Sequence, residues 1–487
     1  MNRRETRLDA HVAVVGGGLA GLCAATTAAS RGLDVVVVRR GLGTTAMSSG
    51  GLDFPESIPR LFGRGPGLPV SWARPDAASA AAILRQWLAP LGASLVGEPG
   101  AIMPLMDTAG DIRRTNLALA QHAAGRVDAW PGRAGAPEGK VLFLGVEGYG
   151  SYRAEWVARK AIARGLVRPE SAAWDAVGVA PLRGRDNLAA ARIAKVLEEP
   201  GAARLFGGAV AEAARKAGAS HVALPPVLGL DDAPRVYGEI VDAVRKGFPG
   251  RPSPRGEAGP IVFELLSPPP SVPGQRVQAL LDRVARQAGV RILPGTATGF
   301  ARTGDADLAG VIDCLAVESR GGAIALRARG YVLATGKFAA GGIKAERQAL
   351  SEPVFGLTVY APPPPGWPPG EVPVGRRAVR DMVWERFAAR HPIFEAGLAV
   401  DETLRPLDGK GRVSLSNLWA AGSVLGGPNH FADGCGSLVA VVTGIEAGRL
   451  AAVAATAAVP ASYTPKTEVS ASDTPAASGG SERGCPA

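Results

Sequence analysis

Cysteine is scarce in this chain: four in 487 residues, Cys23, Cys314, Cys435 and Cys485, with no C-x-x-C among them. That scatter indicates no disulfide framework, structural zinc or cysteine-ligated iron–sulfur cluster, so no metal is expected, and a reducing compartment is. Long hydrophobic runs are missing too. The uncharged stretch over residues 12–30 includes four closely spaced glycines together with Thr26, Thr27 and Ser30, which suits a strand and a helix better than a membrane span. Any membrane contact is therefore expected through a partner. The opening MNRRETR superficially resembles a secretory leader, but the apolar run behind it is the glycine motif itself, so no cleavage is expected. Aromatics make up only 5% of the chain, and the 54 lysines and arginines form no basic block interleaved with them. A net charge of +10 then argues against nucleic acid. It suits instead a small phosphorylated substrate, an anionic cofactor, or an anionic membrane or subunit face.

What is present is apolar bulk and glycine. With 46% hydrophobic and 20% charged residues, the chain can bury a large core, and its length suggests two or more domains. Residues 11–39 read strand, glycine loop, helix, strand. Val12 to Val15 is apolar and β-branched, as in a strand buried on both faces, and Gly16, Gly18 and Gly21 hold the G-x-G-x-x-G spacing. Gly16 permits the tight turn, Gly18, with Gly17, lets the backbone approach a phosphate, and Gly21 allows close helix-on-strand packing beside Ala20. The second strand, Val35 to Val38, ends not in the usual acid but in Arg39 and Arg40. Three ligands are compatible with that: NADP through its 2′-phosphate, FAD with its adenosine held differently, or FMN, which has no adenosine ribose. A solvated arginine pair is the bland alternative.

A second cofactor element lies near the other end. Asn417 to Ala421 reads as a short strand reaching Gly422, and Gly434, Cys435, Gly436 and Ser437 open a helix through Ala452. Flavoproteins with two dinucleotide-type folds end this way, the helix N-terminus facing the flavin ring, where its dipole stabilises reduced flavin. Between the two ends stand GVRILPG (289–295), a β-meander over 299–329 and YVLATGKF (331–338). Its Ala334, Thr335, Gly336 turn resembles the A-T-G of the fumarate reductase and succinate dehydrogenase class. The expected architecture is α/β: a Rossmann-like flavin domain built from residues 8–58, 270–345 and 410–456. A substrate or capping region covers 59–269, a cap insertion 346–409, and a disordered Ser, Thr, Pro and Ala-rich tail 457–487.

Other segments resemble the anaerobic glycerol-3-phosphate dehydrogenase family, in its B-type flavoprotein subunits: SSGGLDF (48–54), GDIRRTNLA (110–118), VLFLGVEGY (141–149), LPPVLGL (224–230), FELLSPPPSVPGQRV (263–277), LATGKFAAGGI (333–343), HPIFEAGLAVDETLRP (391–406) and NLWAAGSVLGGPNHFADGCG (417–436). The Pro-rich 263–277 segment is the most specific, since no general flavin fold requires it. The resemblance implies a flavoprotein subunit that oxidises sn-glycerol 3-phosphate to dihydroxyacetone phosphate and passes electrons to the quinone pool. Its partners would be a second flavoprotein subunit and an iron–sulfur membrane-anchor subunit, at the cytoplasmic face of the membrane. FMN is the usual cofactor of this subunit in the family. The alternatives are a fumarate reductase-type flavin dehydrogenase acting on another hydroxy or dicarboxylic acid, and a non-catalytic electron relay.

Such an oxidation needs a base for the hydroxyl proton and a cation for the phosphate. His430 and His391 are the candidate bases, each with a structural role as the alternative. Arg276, after the PPSVPG turn, is the candidate phosphate ligand; an interdomain ion pair with Glu264 is its alternative. Arg113 and Arg114, being adjacent, could not both face one ligand. The region where the fumarate reductase class carries its flavin-attaching histidine reads GLGTTAMSSGGLDF and has none, so noncovalent flavin is expected, held in part by Ser48, Ser49, Gly50 and Gly51.

Overall fold

The computed structural model describes residues 6–63, 76–131, 139–178, 182, 184–249, 259–303, 309–363, 372–373, 379–386 and 389–457. Apart from Ala457, the tail expected to be disordered lies outside them. Contacts divide the chain into two compact units, one of residues 1–43, 58–75 and 285–487, the other of 44–57 and 76–284.

The first unit is built on a parallel five-stranded sheet in the order Arg291–Pro294, Val35–Arg39, Val12–Val15, Gly330–Leu333, Leu418–Ala420. Its middle strands are valine runs because both faces are covered: Val12, Ala13 and Val14, and Val35 to Val37, are all 0% exposed. The helix Leu19–Ala29 makes the crossover between the first two strands. A second sheet carries the expected meander, Thr296–Thr303, Val311–Ser319 and Gly322–Arg327, with Thr6–Asp9 added parallel at its edge. The helix Gly436–Ala457 packs along Leu19–Ala29. It is long and apolar enough to cross a membrane by length and composition, yet 72% of its apolar window is buried, and it carries a Glu446–Arg449 ion pair.

The second unit has its own parallel sheet, ordered Ala172–Val177, Val141–Val146, His221–Leu224, Ile261–Glu264. Alternate residues of Val141–Val146 feed two cores. Leu142, Leu144 and Val146 pack with Phe206, Val210 and Ile240, while Val141 and Phe143 pack with Trp130, Val157 and Phe263. A sheet with helices on both faces stands where the sequence suggests only a capping region. Residues 44–57 and 270–284, expected in the flavin domain, pack with this unit: a Cβ on Gly50 would lie 2.2 Å from Pro273, and one on Gly274 2.5 Å from the Ser48 carbonyl.

The two helices of the first unit touch backbone to backbone. A Cβ on Gly448 would sit 2.2 Å from the Ala24 carbonyl oxygen. Gly448→Ala gains about 1 kcal/mol of helix propensity, but the carbonyl cannot yield, and overpacking of this kind costs about 1–3 kcal/mol or more. A net fall in thermal midpoint is expected; a rise in calorimetry would show that the contact is looser than described.

Candidate flavin site

The strand ends of the first unit converge. Val15 leads into Gly16, Leu333 into Ala334–Thr335–Gly336, Ala420 into Ala421–Gly422, and Val38 into Arg39, all at the carboxyl edge of the parallel sheet, where such sheets take their ligands. Gly16, at φ +114°, runs so close to the next strand that a Cβ there would lie 2.2 Å from the Ala334 oxygen; a Cβ on Gly21 would lie 1.9 Å from the Gly16 oxygen. The glycines therefore have the first and third roles expected of them. Gly18 stands at the cap of the helix Leu19–Ala29 and makes no side-chain cap hydrogen bond; a helix start beside a glycine loop is where such folds receive an anion.

Arg39 lies across the loop: a Cβ on Gly17 would meet its Cδ at 2.4 Å. Beyond it a cavity of about 410 Å³ is bordered by Arg39, Arg40, Arg286 and Pro294. Ala20 touches the far end of the site, since a Cβ on Gly422 (φ +77°) would sit 2.6 Å from the Ala20 Cβ, and the Gly422 amide donates to Thr443 Oγ1 at 2.8 Å. Gly336 (φ +77°) faces Ala340 and Ser423, Gly434 (φ +53°) ends the loop before the C-terminal helix, and Gly436 lies against His430.

Two buried polar atoms here have no partner, Thr335 Oγ1 and His430 Nε2. Such atoms are costly unless something not part of the chain satisfies them. A glycine cradle at the strand ends and two orphaned polar atoms, one in the turn after Leu333 and one in the His430 loop, fit a polar, phosphate-bearing ring cofactor such as a flavin.

His430 Nδ1 lies 3.8 Å from Cys435 Sγ. Burial, then the nearby Lys337 ammonium, pushes its pKa down to about 4, so the ring is neutral at pH 7. Lys337 lies in the ATGKF segment and escapes sequence reasoning, although the turn beside it does not. Its Nζ donates to the Phe394 carbonyl at 2.8 Å, and burial lowers its pKa to about 7 against the partial compensation of Glu395. Nothing in the sequence signals that shift, because it arises from chain folded over it.

The other candidates are committed. His391 is buried, its Nδ1 accepts from the Trp384 amide at 2.9 Å and its ring meets Phe394 edge-on. Arg276, the expected phosphate ligand, is 0% exposed: its guanidinium forks onto Glu264 and its Nε donates to the Gly229 carbonyl at 2.6 Å. The ion pair with Glu264 is thus the arrangement found, inside the second unit and not between domains. Arg113 pairs with buried Asp107 at 2.8 Å, while its neighbour Arg114 is exposed. Ser48, Ser49, Gly50 and Gly51 belong to the second unit, where Ser48 Oγ is also buried without a partner.

Among known proteins, the B-type subunit of the anaerobic glycerol-3-phosphate dehydrogenase of Pectobacterium carotovorum is 29% identical over 461 residues, 89% of this chain and 96% of the relative. The corresponding subunit from Yersinia pestis is 28% identical with the same coverage. A relative in Halobacterium salinarum, named as a probable subunit of the same type, is 34% identical over 247 residues, and the match spans about half of its length (49%). Among solved structures, 3-ketosteroid delta1-dehydrogenase from Sterolibacterium denitrificans matches 91% of this chain and 99% of its own at 11% identity and a TM-score of 0.35. A flavocytochrome c3 fumarate reductase matches 92% of this chain and 79% of its own at a TM-score of 0.34; neither score supports more than the mention. The model of the FAD binding domain matches residues 11–236 and 257–439. This chain belongs to that FAD-binding family of oxidoreductases, with the flavin-domain α/β fold expected from its glycine loop.

Proposed function

We propose that this chain is the B-type, flavin-carrying component of an anaerobic glycerol-3-phosphate dehydrogenase, oxidising sn-glycerol 3-phosphate to dihydroxyacetone phosphate. The observation that carries the proposal is the convergence of the glycine loop, the Ala334–Gly336 turn and the His430 loop on one sheet edge, in a chain matched along 89% of its length by a component of that name. Electrons leave through a second flavoprotein subunit and an iron–sulfur anchor subunit to the quinone pool, at the cytoplasmic face of the membrane.

When bound, the flavin supplies the two-electron acceptor for the C2 hydride. The protein supplies the proton chemistry. His430 Nε2, neutral and unpartnered, donates to the C2 oxygen in the tautomer that carries its hydrogen there and so leaves the hydroxyl proton directed away from the ring. Lys337 Nζ takes the proton, because a base poised near the operating pH combines availability with driving force. The flavin is held noncovalently. A second reading has its own support: with Arg276 tied to Glu264 and His391 to the Trp384 amide, the chain can act as an electron relay for a catalytic partner.

Adding sn-glycerol 3-phosphate anaerobically to the flavin-loaded chain separates the two. The enzyme reading predicts bleaching of the flavin absorbance, with a dicarboxylic acid inactive; reduction only when the partner subunits are present would establish the relay.

Lys337 makes the pH dependence specific. Its pKa falls from an ordinary 10.5 to about 7 on folding, so between those values the unfolded chain binds the extra proton. Stability therefore rises with pH through that window and is lost as pH falls through 7. Lys337→Met is expected to abolish the gain in thermal midpoint between pH 7 and 9 and to flatten the rise of the flavin-reduction rate near pH 7. An unchanged rate profile would remove Lys337 as the base.

Arg39 distinguishes the flavins. With FMN bound, no adenosine reaches the second strand and Arg39→Ala leaves flavin content unchanged, the outcome expected here. A loss of roughly 1.5–3 kcal/mol, on the order of ten- to a hundredfold in affinity, would mean that FAD extends to this arginine.

A further inference from the structure

A short strap, residues 390–397, meets both Lys337 and the loop that carries His430. Lys337 Nζ donates to its Phe394 carbonyl at 2.8 Å, and the Gly427 amide donates to its Glu395 carbonyl at 2.9 Å. Arg390 joins strap and loop by charge. Its Nε donates to Glu395 Oε1 at 2.6 Å, and its Nη1 and Nη2 fork onto the two carboxylate oxygens of Asp433 in the His430 loop. One guanidinium thus engages two carboxylates from different segments, a geometry that arginine provides and lysine does not.

Attachment alone does not account for it, because the strap is pinned without the Arg390 side chain. The Trp384 indole donates to the Arg390 carbonyl at 3.1 Å, the Trp384 amide donates to His391 Nδ1, and a Cβ on Gly397 would lie 2.5 Å from the Gly426 nitrogen. The loop is closed on itself as well. The Asp433 amide donates to the Asn429 carbonyl at 2.8 Å, and Asn429 Oδ1 accepts from the Ala432 amide at 3.1 Å. What Arg390 adds is charge, delivered at two places.

Each of its carboxylates has a proton-carrying neighbour. Among the described residues, Glu395 from the strap and Cys435 from the start of the last helix act electrostatically on Lys337, while Lys337 and Asp433 act on His430; His430 Nδ1 also lies 3.8 Å from Cys435 Sγ. Glu395 favours a charged ammonium and Asp433 a charged imidazolium. Both acidic side chains are only 18% exposed, so salt and water screen them little. Burial opposes the charge on Asp433, but the Arg390 fork and the Asn429 amide outweigh it and hold the carboxyl below its ordinary range. Left unpaired, the two carboxylates would draw protons onto the groups that the reaction needs uncharged. On the reading of Lys337 as the base, we propose that Arg390 is a positioning residue for proton transfer: by engaging Glu395 and Asp433 together, it leaves neither carboxylate free to hold a proton on Lys337 or His430.

The test reads the protonation of Lys337 itself, in the flavin-loaded full chain, by NMR of 13Cε-labelled lysine, its signal identified by its absence from Lys337→Met. Arg390→Gln is expected to raise the Lys337 midpoint from about 7 by about one pH unit. Flavin reduction by sn-glycerol 3-phosphate at pH 7 then slows about fivefold, with the rate recovered at pH 9. Adding Glu395→Gln to Arg390→Gln is expected to return the midpoint towards that of the native chain, whereas a strap that had only loosened would leave it high, since removing a carboxylate restores no burial. Arg390→Lys keeps the charge without the fork and is expected to give a smaller rise; it serves if the glutamine variant does not fold. An unchanged midpoint in the Arg390 variants, or one still fully raised in the double variant, would overturn the proposal. A raised midpoint that the double variant reverses, in a chain whose flavin sn-glycerol 3-phosphate does not bleach, would refute Lys337 as the base of that reaction while upholding the control of its proton by Arg390.

Discussion

Backbone meeting backbone is the constraint on which the first unit depends. The Gly16 carbonyl lies where a Cβ on Gly21 would be, and the Ala334 carbonyl occupies the space of a Cβ on Gly16. On the other side, Cβ atoms on Gly444 and Gly448 would come within 2.4 and 2.2 Å of the carbonyls of Ala20 and Ala24. Two pairs of glycines, one near each end of the described chain, thus let the first helix, a central strand and the last helix share one small volume. The start of the first helix and the Ala334–Gly336 turn are brought together as a consequence, because each lies at the end of an element fixed by these contacts.

Burial then divides the ionisable groups into two kinds. At the flavin edge it is used to keep groups uncharged or nearly so: His430 neutral, Lys337 near the midpoint of its titration at pH 7. In the second unit it encloses a full ion pair. Glu264 accepts both the Arg276 fork and the Leu228 amide, and Arg276 also donates to Gly229. Such a pair contributes little net stability when intact, but either charge left alone would cost about 3–5 kcal/mol. An arginine of that kind holds a loop in place and is not free to meet a substrate.

Much of the first unit is legible in the sequence because strong local patterns coincide with tertiary demands. Val12–Val15 is a strand as read, Val35–Val38 extends one residue to Arg39, and the meander and the helix beginning near Gly434 appear within a few residues of their expected bounds. Arg276 is harder, since a Pro-rich turn before an arginine looks the same whether the side chain turns inward or outward; only the position of Glu264 decides. Lys337 is invisible for a related reason, its altered basicity coming from neighbours distant in sequence. The second parallel sheet is within reach of the sequence. Short apolar runs at 141–146, 221–224 and 261–264 alternate with helical stretches, the pattern of βαβ units, but the strong signal of the first glycine loop makes everything between the flavin segments look like a cap.

The central claim is that this chain itself holds a flavin at the junction of the glycine loop and the Ala334–Gly336 turn. Acid precipitation of the purified chain, followed by mass measurement of the released chromophore, tests it most directly. One flavin per chain in the supernatant is the result predicted. A colourless protein, or a flavin that stays with the precipitate, would contradict the account.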